Sequence, residues 1–324
     1  MSVTIIGLGP GNIDNLSLGA YRELVSGKKI YCRTKEHPVV DALLEQGIQF
    51  EFLDRFYSDY DKFETVYETI CEFIVLCAEK QDLIYCVPGH PYVAETTVAM
   101  IEKELERKNI ECRVIGSMSF VDAIYQYLKL DPVHGFCLLN AMDFDENKID
   151  TGKSLILTQV YNSWIASEVK LKLMEIYGDE FEIWIVEGAL IPNLEKKVKI
   201  PLYRLDQIKW KFNHLTSLYI PVQLEKLHYS FYDLVDLIRV AKSAYGYAWD
   251  KNRCYNTLEK YLSCKSNELN LSSDNKDIDN LIEELGDVLL LILLCAQNGR
   301  ETGFFDIFDV IDLLYRNLTL KSIT

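Results

Sequence analysis

Two acidic stretches near the C-terminus have the spacing of metal ligands. Glu284 and Asp287 stand three residues apart in EELGD, so in a helix they lie on one face. The earlier stretch CKSNE supplies Glu268, which could face them from a second helix. Carboxylate oxygens suit a hard cation such as Mg²⁺. These residues are therefore consistent with a metal site, with a metal site that has lost ligands, or with a solvated pair of helices.

Three glycine-containing turns follow short apolar runs nearer the N-terminus. Their sequences are GLGPG from Gly7, VPGHP from Val87 and GSMS from Gly116. The prolines on both sides of Gly89 and His90 stiffen the second turn. Ligands of α/β proteins bind beyond the carboxyl ends of the strands, so the three turns predict one shared crevice.

Ordinary dinucleotide binding is disfavoured at this crevice. The dinucleotide fingerprint needs a third glycine where Asn12 stands, and an acidic residue at the end of the next strand. That strand ends in Cys32, Arg33 and Thr34 instead. The glycines of GLGPG then either form a tight turn or let the backbone approach another ligand.

The elements that must position these turns fall into two kinds. Over the first two thirds of the chain, apolar runs alternate with amphipathic stretches, which is typical of α/β layers with parallel strands. The pattern restarts near residue 154, after the polar stretch DFDENKIDTGK, and gives way to helical periodicity after Pro221. We predict an α/β domain over residues 1–222, with lobes at about 1–140 and 150–222, and an all-α domain over residues 223–324.

Composition and charge restrict the function classes. The formal net charge of −15 argues against a nucleic-acid partner, because phosphates would be repelled. The nine cysteines form no C-x-x-C pair and fit a reducing cytoplasm. No apolar run approaches the roughly 20 residues that span a membrane. We therefore expect a cytoplasmic protein without a membrane or nucleic-acid partner.

The sequence around the glycine turns resembles the tetrapyrrole methylase superfamily. The phrases that carry the likeness are GLGPG, PGHPYVAE and IGSMSFVDA, and it extends over about residues 2–222. Members are bilobed α/β methyltransferases that bind S-adenosylmethionine (SAM) between the lobes. DPVHGFCLLNA and LDQIKWKFNHLTSLYIPV are most similar to the bacterial branch fused to a MazG-type nucleotide pyrophosphohydrolase domain. The resemblance implies a bilobed tetrapyrrole-methylase-type fold, followed by an all-α MazG-like helical domain.

The same resemblance implies a set of SAM-binding residues. The set includes the turn of GLGPG, which would face the acceptor side of the cleft, and Asp is common in the family where this chain has His90. The implied residues are Gly7, Gly9, Pro10, Pro88, Gly89, His90, Pro91, Val93, Ser117, Ser119, Thr158, Gln159, Gly188, Ala189, Leu215 and Thr216.

Methyl transfer from a sulfonium needs an acceptor held in line and sometimes a base. Near the first-lobe turns the candidate catalytic groups are Tyr57, Tyr67, His90 and Tyr92. Each also has a structural interpretation: Tyr67 is in helical register with apolar neighbours, and His90 between Gly and Pro can simply shape its loop. The expected acceptor is a small molecule or a peptide.

The helical tail keeps part of the MazG pattern. Such enzymes share a Trp-Asp loop and two helices whose four carboxylates bind magnesium. Here EELGD matches the second helix in full, whereas Cys264 and Lys265 stand where two glutamates are expected in the first. The resemblance thus implies a degenerate metal site of Glu268, Glu284 and Asp287. We expect Lys265 to pair with Glu284 or Asp287, and Mg²⁺ to be a cofactor only if the site still works.

The combined interpretation is a SAM-dependent methyltransferase of unknown acceptor, whose MazG-like tail is inactive and serves homodimerisation. One alternative is a Mg-dependent nucleoside triphosphate pyrophosphohydrolase, with a fourth ligand such as Asp274 or Asp277. Another is a non-enzymatic scaffold that senses SAM or a nucleotide.

Overall fold

A computed structural model describes residues 1–60, 62–223, 229–242, 265 and 278–321. The chain divides into two compact units, Met1–Leu227 and His228–Thr324. None of the helices in the described parts of the chain is both long enough and apolar enough to span a membrane.

The first lobe is built on a parallel five-stranded sheet. Its strands are β1 (Ser2–Gly7), β2 (Lys29–Cys32), β3 (Glu51–Phe52), β4 (Leu83–Val87) and β5 (Glu111–Ile115). They run in the order β3-β2-β4-β1-β5, and every neighbouring pair is parallel. The sequence-based prediction of parallel strands is confirmed for this lobe.

Helices cover both faces of the first sheet. They are α1 (Leu18–Leu24), α2 (Val39–Glu45), α3 (Arg55–Asp59), α4 (Phe63–Ala78) and α5 (Thr96–Arg107). Successive side chains of β1 point to opposite faces of the sheet. Ile5 packs in the core under α4 and α5, and Ile6 packs in the core under α1 and α2. The central strand β4 is buried along its whole length, and only its ends remain for a ligand.

The second lobe has a mixed sheet. Its strands are β6 (Phe136–Asn140), β7 (Ser154–Thr158), β8 (Glu182–Glu187), β9 (Lys196–Pro201) and β10 (Thr216–Ile220), in the order β6-β7-β10-β8-β9. Only β6 and β7 pair in parallel; the other three pairs are antiparallel. Residues 188–195 join β8 to β9 without a crossover helix, which requires an antiparallel pair. β6, which precedes the polar stretch, is an edge strand of this second sheet.

Two helices enclose the second sheet. One face packs against α7 (Ser163–Tyr177) and the other against α6 (Phe120–Leu128). Side chains at the N-termini fix where these helices begin: Ser119 and Asp122 form a capping box on α6, and Asn162 accepts from the Ile165 N–H on α7. Since α6 directly follows the first sheet, it couples the two lobes. Short 3₁₀ helices span Ile13–Asn15, Pro132–His134, Glu146–Lys148 and Leu202–Arg204.

In its described residues, the second unit is helical. It contains α8 (Phe231–Lys242), α9 (Ile278–Thr302) and α10 (Ile307–Lys321). Val235 and Ile238 of α8, Leu293 and Ala296 of α9, and Ile307 of α10 form its small buried core.

The ends of β1 and β4 are held together by backbone hydrogen bonds. The Leu8 N–H donates to the Val87 carbonyl at 2.9 Å, and Gly9 and Gly89 bond reciprocally at 3.0 and 2.9 Å. A Cβ atom on Gly7 would lie 2.5 Å from the Gly89 carbonyl oxygen and 2.6 Å from Pro91 Cδ. The two loops can approach this closely only because residue 7 has no side chain.

We therefore predict that Gly7→Ala lowers the free energy of unfolding by about 1–3 kcal/mol, as overpacking commonly does. Chemical denaturation of the purified chain measures this change. The control is Gly19→Ala in α1, whose Cβ would meet Ile115 Cγ2 at an ordinary 3.5 Å. That variant should be neutral or slightly stabilised. Equal losses in the two variants would contradict the close approach.

Candidate functional site

A cavity of about 550 Å³ lies within the first unit and is lined by residues of both lobes. Its volume falls in the range of roughly 300–1,000 Å³ that is usual for small-molecule sites. The first lobe contributes the carboxyl ends of β1, β2 and β4 through Gly9, Arg33 and Gly89. The second lobe contributes Thr158 after β7 and Gly188 after β8. This is the crevice position that parallel α/β sheets use for ligands.

Many of the residues implied to bind the cofactor line this cavity. They are Gly9, Pro10, Pro88, Gly89, Val93, Thr158, Gln159, Gly188, Ala189 and Leu215. Two of the candidate catalytic residues, Tyr57 and Tyr67, line it as well.

The hydroxyls of three other implied cofactor residues are engaged in local structure. The Ser17 N–H donates to Ser117 Oγ at 3.1 Å, Ser119 caps α6, and the Asn213 N–H donates to Thr216 Oγ1 at 3.1 Å. These local hydrogen bonds account for a hydroxyl side chain at each of the three positions, so no bound ligand is needed to explain them.

The remaining predicted residues lie around the proline-flanked turn but do not line the cavity. The Tyr92 N–H donates to His90 Nδ1 at 3.2 Å, and the exposed Tyr92 hydroxyl donates to Glu102 Oε1 at 2.7 Å. A Cβ on Gly116 would fall 2.5 Å from His90 Nε2, so the imidazole packs on that turn. Gly7 and Pro91 pack against each other. The catalytic roles of His90 and Tyr92 stay predictions, with a structural role described for each.

The backbone adopts left-handed conformations at several points of the cavity wall. Gly89 has φ +65°, with no atom within 4 Å of the place a Cβ would take. Two non-glycine residues of the wall, Ala94 and Gln159, have φ 56° and 61°. Such residues cost of order 1 kcal/mol each and concentrate where a backbone is shaped around a ligand. At these three positions the course of the wall is therefore set by the backbone.

A polar cluster that the motifs did not identify lies at the first-lobe end. Arg33 Nη1 is 3.3 Å from Glu95 Oε2, and the Glu95 side chain is only 3% exposed. The Thr97 hydroxyl donates to Glu95 Oε1 at 2.7 Å. Nearby, Asp54 accepts hydrogen bonds from the Thr34 hydroxyl at 2.7 Å and the Lys35 N–H at 3.0 Å. The one sequence signal for this cluster is Arg33 itself, which stands where a dinucleotide site has an acidic residue.

Tyr57 and Tyr67 of the cavity wall remain protonated near neutral pH. Burial raises the pKa of Tyr57 to about 12, although the charge of Arg33 acts in the opposite direction. Burial likewise raises the pKa of Tyr67. Both phenols can therefore donate hydrogen bonds to a ligand.

His37 is a buried, neutral imidazole in the same wall. Burial lowers its pKa, a hydrogen bond with the Gly9 backbone raises it, and the charges of Arg33 and His214 lower it, so that the pKa of His37 is about 4. His37 Nδ1 and Arg33 Nε are both buried without a hydrogen-bond partner among the described residues. Unpaired buried atoms of this kind call for a physical explanation.

In the second unit, Lys265 pairs with both carboxylates of the EELGD helix face. Its Nζ lies 2.9 Å from Glu284 Oε2 and 2.7 Å from Asp287 Oδ2, and Glu284 is buried. The predicted ion pair is confirmed. Glu268, Asp274, Asp277 and Cys264 lie outside the described residues.

The described carboxylates do not fit a magnesium ion. Among the described residues, no group of three or more His, Cys, Asp or Glu side chains is arranged to hold a metal. The Lys265 ammonium occupies the oxygens that a divalent cation would need, and it would repel that cation directly.

Two protein-family models match separate parts of the chain. The family model described as Tetrapyrrole (Corrin/Porphyrin) Methylases matches residues 2–206. The model of the MazG nucleotide pyrophosphohydrolase domain matches residues 254–320.

Two curated proteins are similar to the chain in sequence. The uncharacterized protein YabN of Bacillus subtilis is 39% identical over 311 residues, which cover 95% of this chain and 63% of YabN. The nucleoside triphosphate pyrophosphohydrolase/pyrophosphatase MazG of Thermotoga maritima is 40% identical over 88 residues, or 27% of this chain and 34% of that protein. The chain thus spans less than two thirds of either relative.

Solved structures share the fold of the first unit. The uroporphyrin-III C-methyl transferase of Thermus thermophilus, complexed with S-adenyl homocysteine, has a TM-score of 0.52 at 18% identity, covering 68% of this chain and 97% of that one. A diphthine synthase has a TM-score of 0.53 at 16% identity, covering 68% and 90%. The prediction of a bilobed α/β fold followed by a MazG-like helical region is confirmed.

The buried, neutral state of His37 predicts a pH-dependent stability. Its pKa in the folded chain, about 4, lies below the ordinary value of 6.5, so protons bind more readily to the unfolded state. The contribution of the neutral His37 to the free energy of unfolding is fully present above pH 6.5. It is lost as the pH falls towards 4, by about 3 kcal/mol in total. Denaturation at pH 7 and pH 4.5 should show a smaller loss for His37→Gln than for the wild type.

The exposed His134 supplies the matched control. His134→Gln should keep the pH dependence of the wild-type chain. If His37→Gln keeps it too, the imidazole is not held neutral by burial.

Proposed function

The chain belongs to the tetrapyrrole (corrin/porphyrin) methylase family, and from this premise we propose that it is a SAM-dependent methyltransferase whose cofactor occupies the interlobe cavity. The observation that carries the proposal is the coincidence of the cavity wall with the implied cofactor residues, from Pro88 and Gly89 in one lobe to Gly188 and Leu215 in the other. The likeness to structures of SAM-dependent methyltransferases supports it.

The charge of the wall also suits this cofactor. Glu36, Asp54 and Glu95 line the cavity with a single arginine, Arg33, so the charged side chains sum to a negative value. SAM carries a positive sulfonium, which such a field favours. When bound, SAM supplies a methyl group activated for displacement.

Different residues of the cavity wall would bind the cofactor and orient the acceptor. The left-handed backbone at Gly89 and Gln159, with Ala189 and Leu215, would hold the cofactor largely through backbone and apolar contacts. Tyr57 and Tyr67 line the cavity as protonated donors and would orient the acceptor. Orientation of this kind accelerates transfer by removing the entropy of encounter.

The acceptor is proposed to be a small molecule or a peptide. A cavity of about 550 Å³ that also holds a cofactor leaves room for only a small part of the acceptor. The overall negative charge disfavours RNA or DNA.

The assembly and location of the chain are further parts of the proposal. Exposed apolar side chains on α9 and α10, such as Ile282, Leu285, Leu314 and Leu318, support pairing of the helical unit with a second copy. Cys32, Cys71, Cys77, Cys86, Cys112 and Cys137 form no disulfide among the described residues, which supports a cytoplasmic location.

We propose that the MazG-like region is inactive and holds no magnesium ion, because Lys265 supplies the positive charge internally. Mg-dependent nucleoside triphosphate pyrophosphohydrolysis is therefore only the second candidate function. A sensor without transfer activity is the third, and it would bind SAM but methylate no acceptor.

Leu215→Trp tests the cofactor site. The larger side chain would fill part of the cavity, and calorimetry should show S-adenosylhomocysteine binding weakened about tenfold or more. The control Leu171→Trp changes an exposed residue of α7 and should bind as the wild type does. Failure of the wild type to bind S-adenosylhomocysteine, or equal binding by Leu215→Trp, would refute the assignment.

Lys265→Glu tests the second unit. Replacing the ammonium by a carboxylate should create Mg²⁺ binding that calorimetry detects, whereas the wild type should bind the ion weakly or not at all. Lys265→Met separates charge from ligation, since it removes the ammonium without adding oxygen, and it should bind Mg²⁺ less tightly than Lys265→Glu. Tight binding by the wild type that the substitution does not improve would contradict an internal cation.

A further inference from the structure

Three aromatic side chains line the first-lobe end of the cavity beside one another. They are Tyr57 of α3 and Phe63 and Tyr67 of α4, and we call them the aromatic strip. The Phe63 and Tyr67 rings are stacked, with centroids 6.2 Å apart and planes inclined by 25°. Burial raises the pKa of Tyr57 most, and the charge of an ionised Tyr67 would raise it further, which places the two hydroxyls near each other.

A ligand in the cavity can reach this strip. Phe63 is 51% exposed, and Tyr57 and Tyr67 are partly exposed. The face of an aromatic ring is negatively polarised and attracts a cation that lies within about 6 Å of its centroid. In the described parts of the chain, the lysines and arginines that lie over rings occupy other rings, those of Tyr31, Phe56, Phe73, Tyr127, Phe144 and Trp184. The faces of the strip are thus left for a cation that arrives with a ligand.

The charged side chains at this end of the cavity leave a negative balance. Three carboxylates, those of Glu36, Asp54 and Glu95, line the cavity with one described cation, Arg33. Arg33 Nη1 lies 3.3 Å from Glu95 Oε2, so this pair is neutral and the charges of Glu36 and Asp54 remain. The described lining residues of the second lobe include no carboxylate, lysine or arginine, so the negative balance lies at the first-lobe end.

Asp54 brings this negative charge to the aromatic strip. Its carboxylate is fixed by the Thr34 hydroxyl at 2.7 Å and by the backbone N–H of Lys35 at 3.0 Å, and neither donor carries a charge. The Tyr57 N–H donates to the Asp54 carbonyl oxygen at 3.0 Å. Burial is the largest cause of the raised pKa of Tyr57, and the charge of Asp54 adds to it, so this carboxylate acts on the strip.

The rings and the carboxylates favour the same charge on a ligand. A carboxylate group would be repelled by Glu36 and Asp54, and it would meet a guanidinium already paired with Glu95. An uncharged group would gain from neither feature. A cation is attracted by both, which offsets the loss of water around it when it enters the cavity.

We propose that the first-lobe end of the cavity binds an amine acceptor as its cation, with the ammonium against the aromatic strip and in the field of Asp54 and Glu36. The inference rests on the proposed methyltransferase function, because the cofactor is assigned to the other part of the same cavity.

Methyl transfer to such an acceptor balances without a further reactant. The ammonium loses one proton to solvent, and the freed lone pair of the nitrogen forms the bond to the methyl carbon, while the C–S bond breaks and leaves its electron pair on sulfur. A positive sulfonium nearby favours the loss of the proton, since like charges repel. The product is a methylated ammonium ion.

Three small molecules that share a tert-butyl group test the selection. They are neopentylamine, which is a cation at neutral pH, neopentanol, which is uncharged, and pivalate, which is an anion. Calorimetry is performed on the full chain saturated with S-adenosylhomocysteine. The wild type should bind neopentylamine about tenfold or more tightly than neopentanol, and pivalate most weakly, because only the amine gains from rings and carboxylates together.

Asp54→Asn tests the charge. The variant keeps the shape of the side chain and removes its charge, so the preference for neopentylamine over neopentanol should fall about fivefold. The matched control is Asp59→Asn, which neutralises an exposed carboxylate of α3 that does not line the cavity and should keep the wild-type preference.

Phe63→Leu tests the rings, and it carries the test if Asp54→Asn does not fold, because Phe63 is exposed. The variant removes one ring and keeps an apolar side chain, so the same preference should fall about threefold. Phe63→Tyr retains a ring and should bind the three compounds as the wild type does.

The outcomes separate this inference from the proposed function. Absence of S-adenosylhomocysteine binding by the wild type defeats the methyltransferase assignment itself. If S-adenosylhomocysteine binds normally, the selection alone is overturned when the wild type binds none of the three compounds or does not prefer neopentylamine. It is also overturned when S-adenosylhomocysteine displaces neopentylamine, since the strip then belongs to the cofactor, or when both Asp54→Asn and Phe63→Leu keep the full preference.

Discussion

The reciprocal hydrogen bonds between Gly9 and Gly89 are the contact on which the rest of the site depends. They extend the pairing of β1 with β4 beyond the end of the sheet, where parallel strands normally diverge into separate loops. The glycine at position 7 is a steric consequence, since a Cβ there would strike the Gly89 carbonyl. With the two loops fixed, one wall of the cavity is rigid backbone, and the adjoining strand end places Arg33 beside it.

This arrangement separates two kinds of recognition within one cavity. Backbone groups and small or apolar side chains, such as Gly188 and Ala189, line the part assigned to the cofactor. The opposite part holds compensated charges, protonated tyrosines and a neutral histidine, which are suited to a polar acceptor. In the helical unit, Lys265 likewise compensates Glu284 and Asp287 from within the chain. In both places a buried charge is balanced by a side chain of the protein itself.

The parts of the structure that depend on local sequence pattern could be predicted from the sequence. The apolar strands followed by glycine turns located the wall at Pro88, Gly89 and Val93, because strand ends of a parallel sheet converge. The Lys265 pair was predictable because helical spacing places Glu284 and Asp287 on one face, and the MazG resemblance places Lys265 at a ligand position opposite them. What depends on long-range packing was missed. Arg33 and Glu95 are 62 positions apart, and no local pattern links them. The antiparallel strands of the second sheet were missed for the same reason, since apolar alternation does not specify strand direction.

The most direct test of the account is a crystal structure of the full chain grown with S-adenosylhomocysteine. We expect the ligand in the interlobe cavity, against Gly89 and Val93 of one lobe and Gln159, Ala189 and Leu215 of the other. Tyr57 and Tyr67, which would orient the acceptor, should remain uncovered. A ligand that covers Tyr57 and Tyr67, or that binds in the helical unit instead, would contradict the division of the cavity into a cofactor part and an acceptor part.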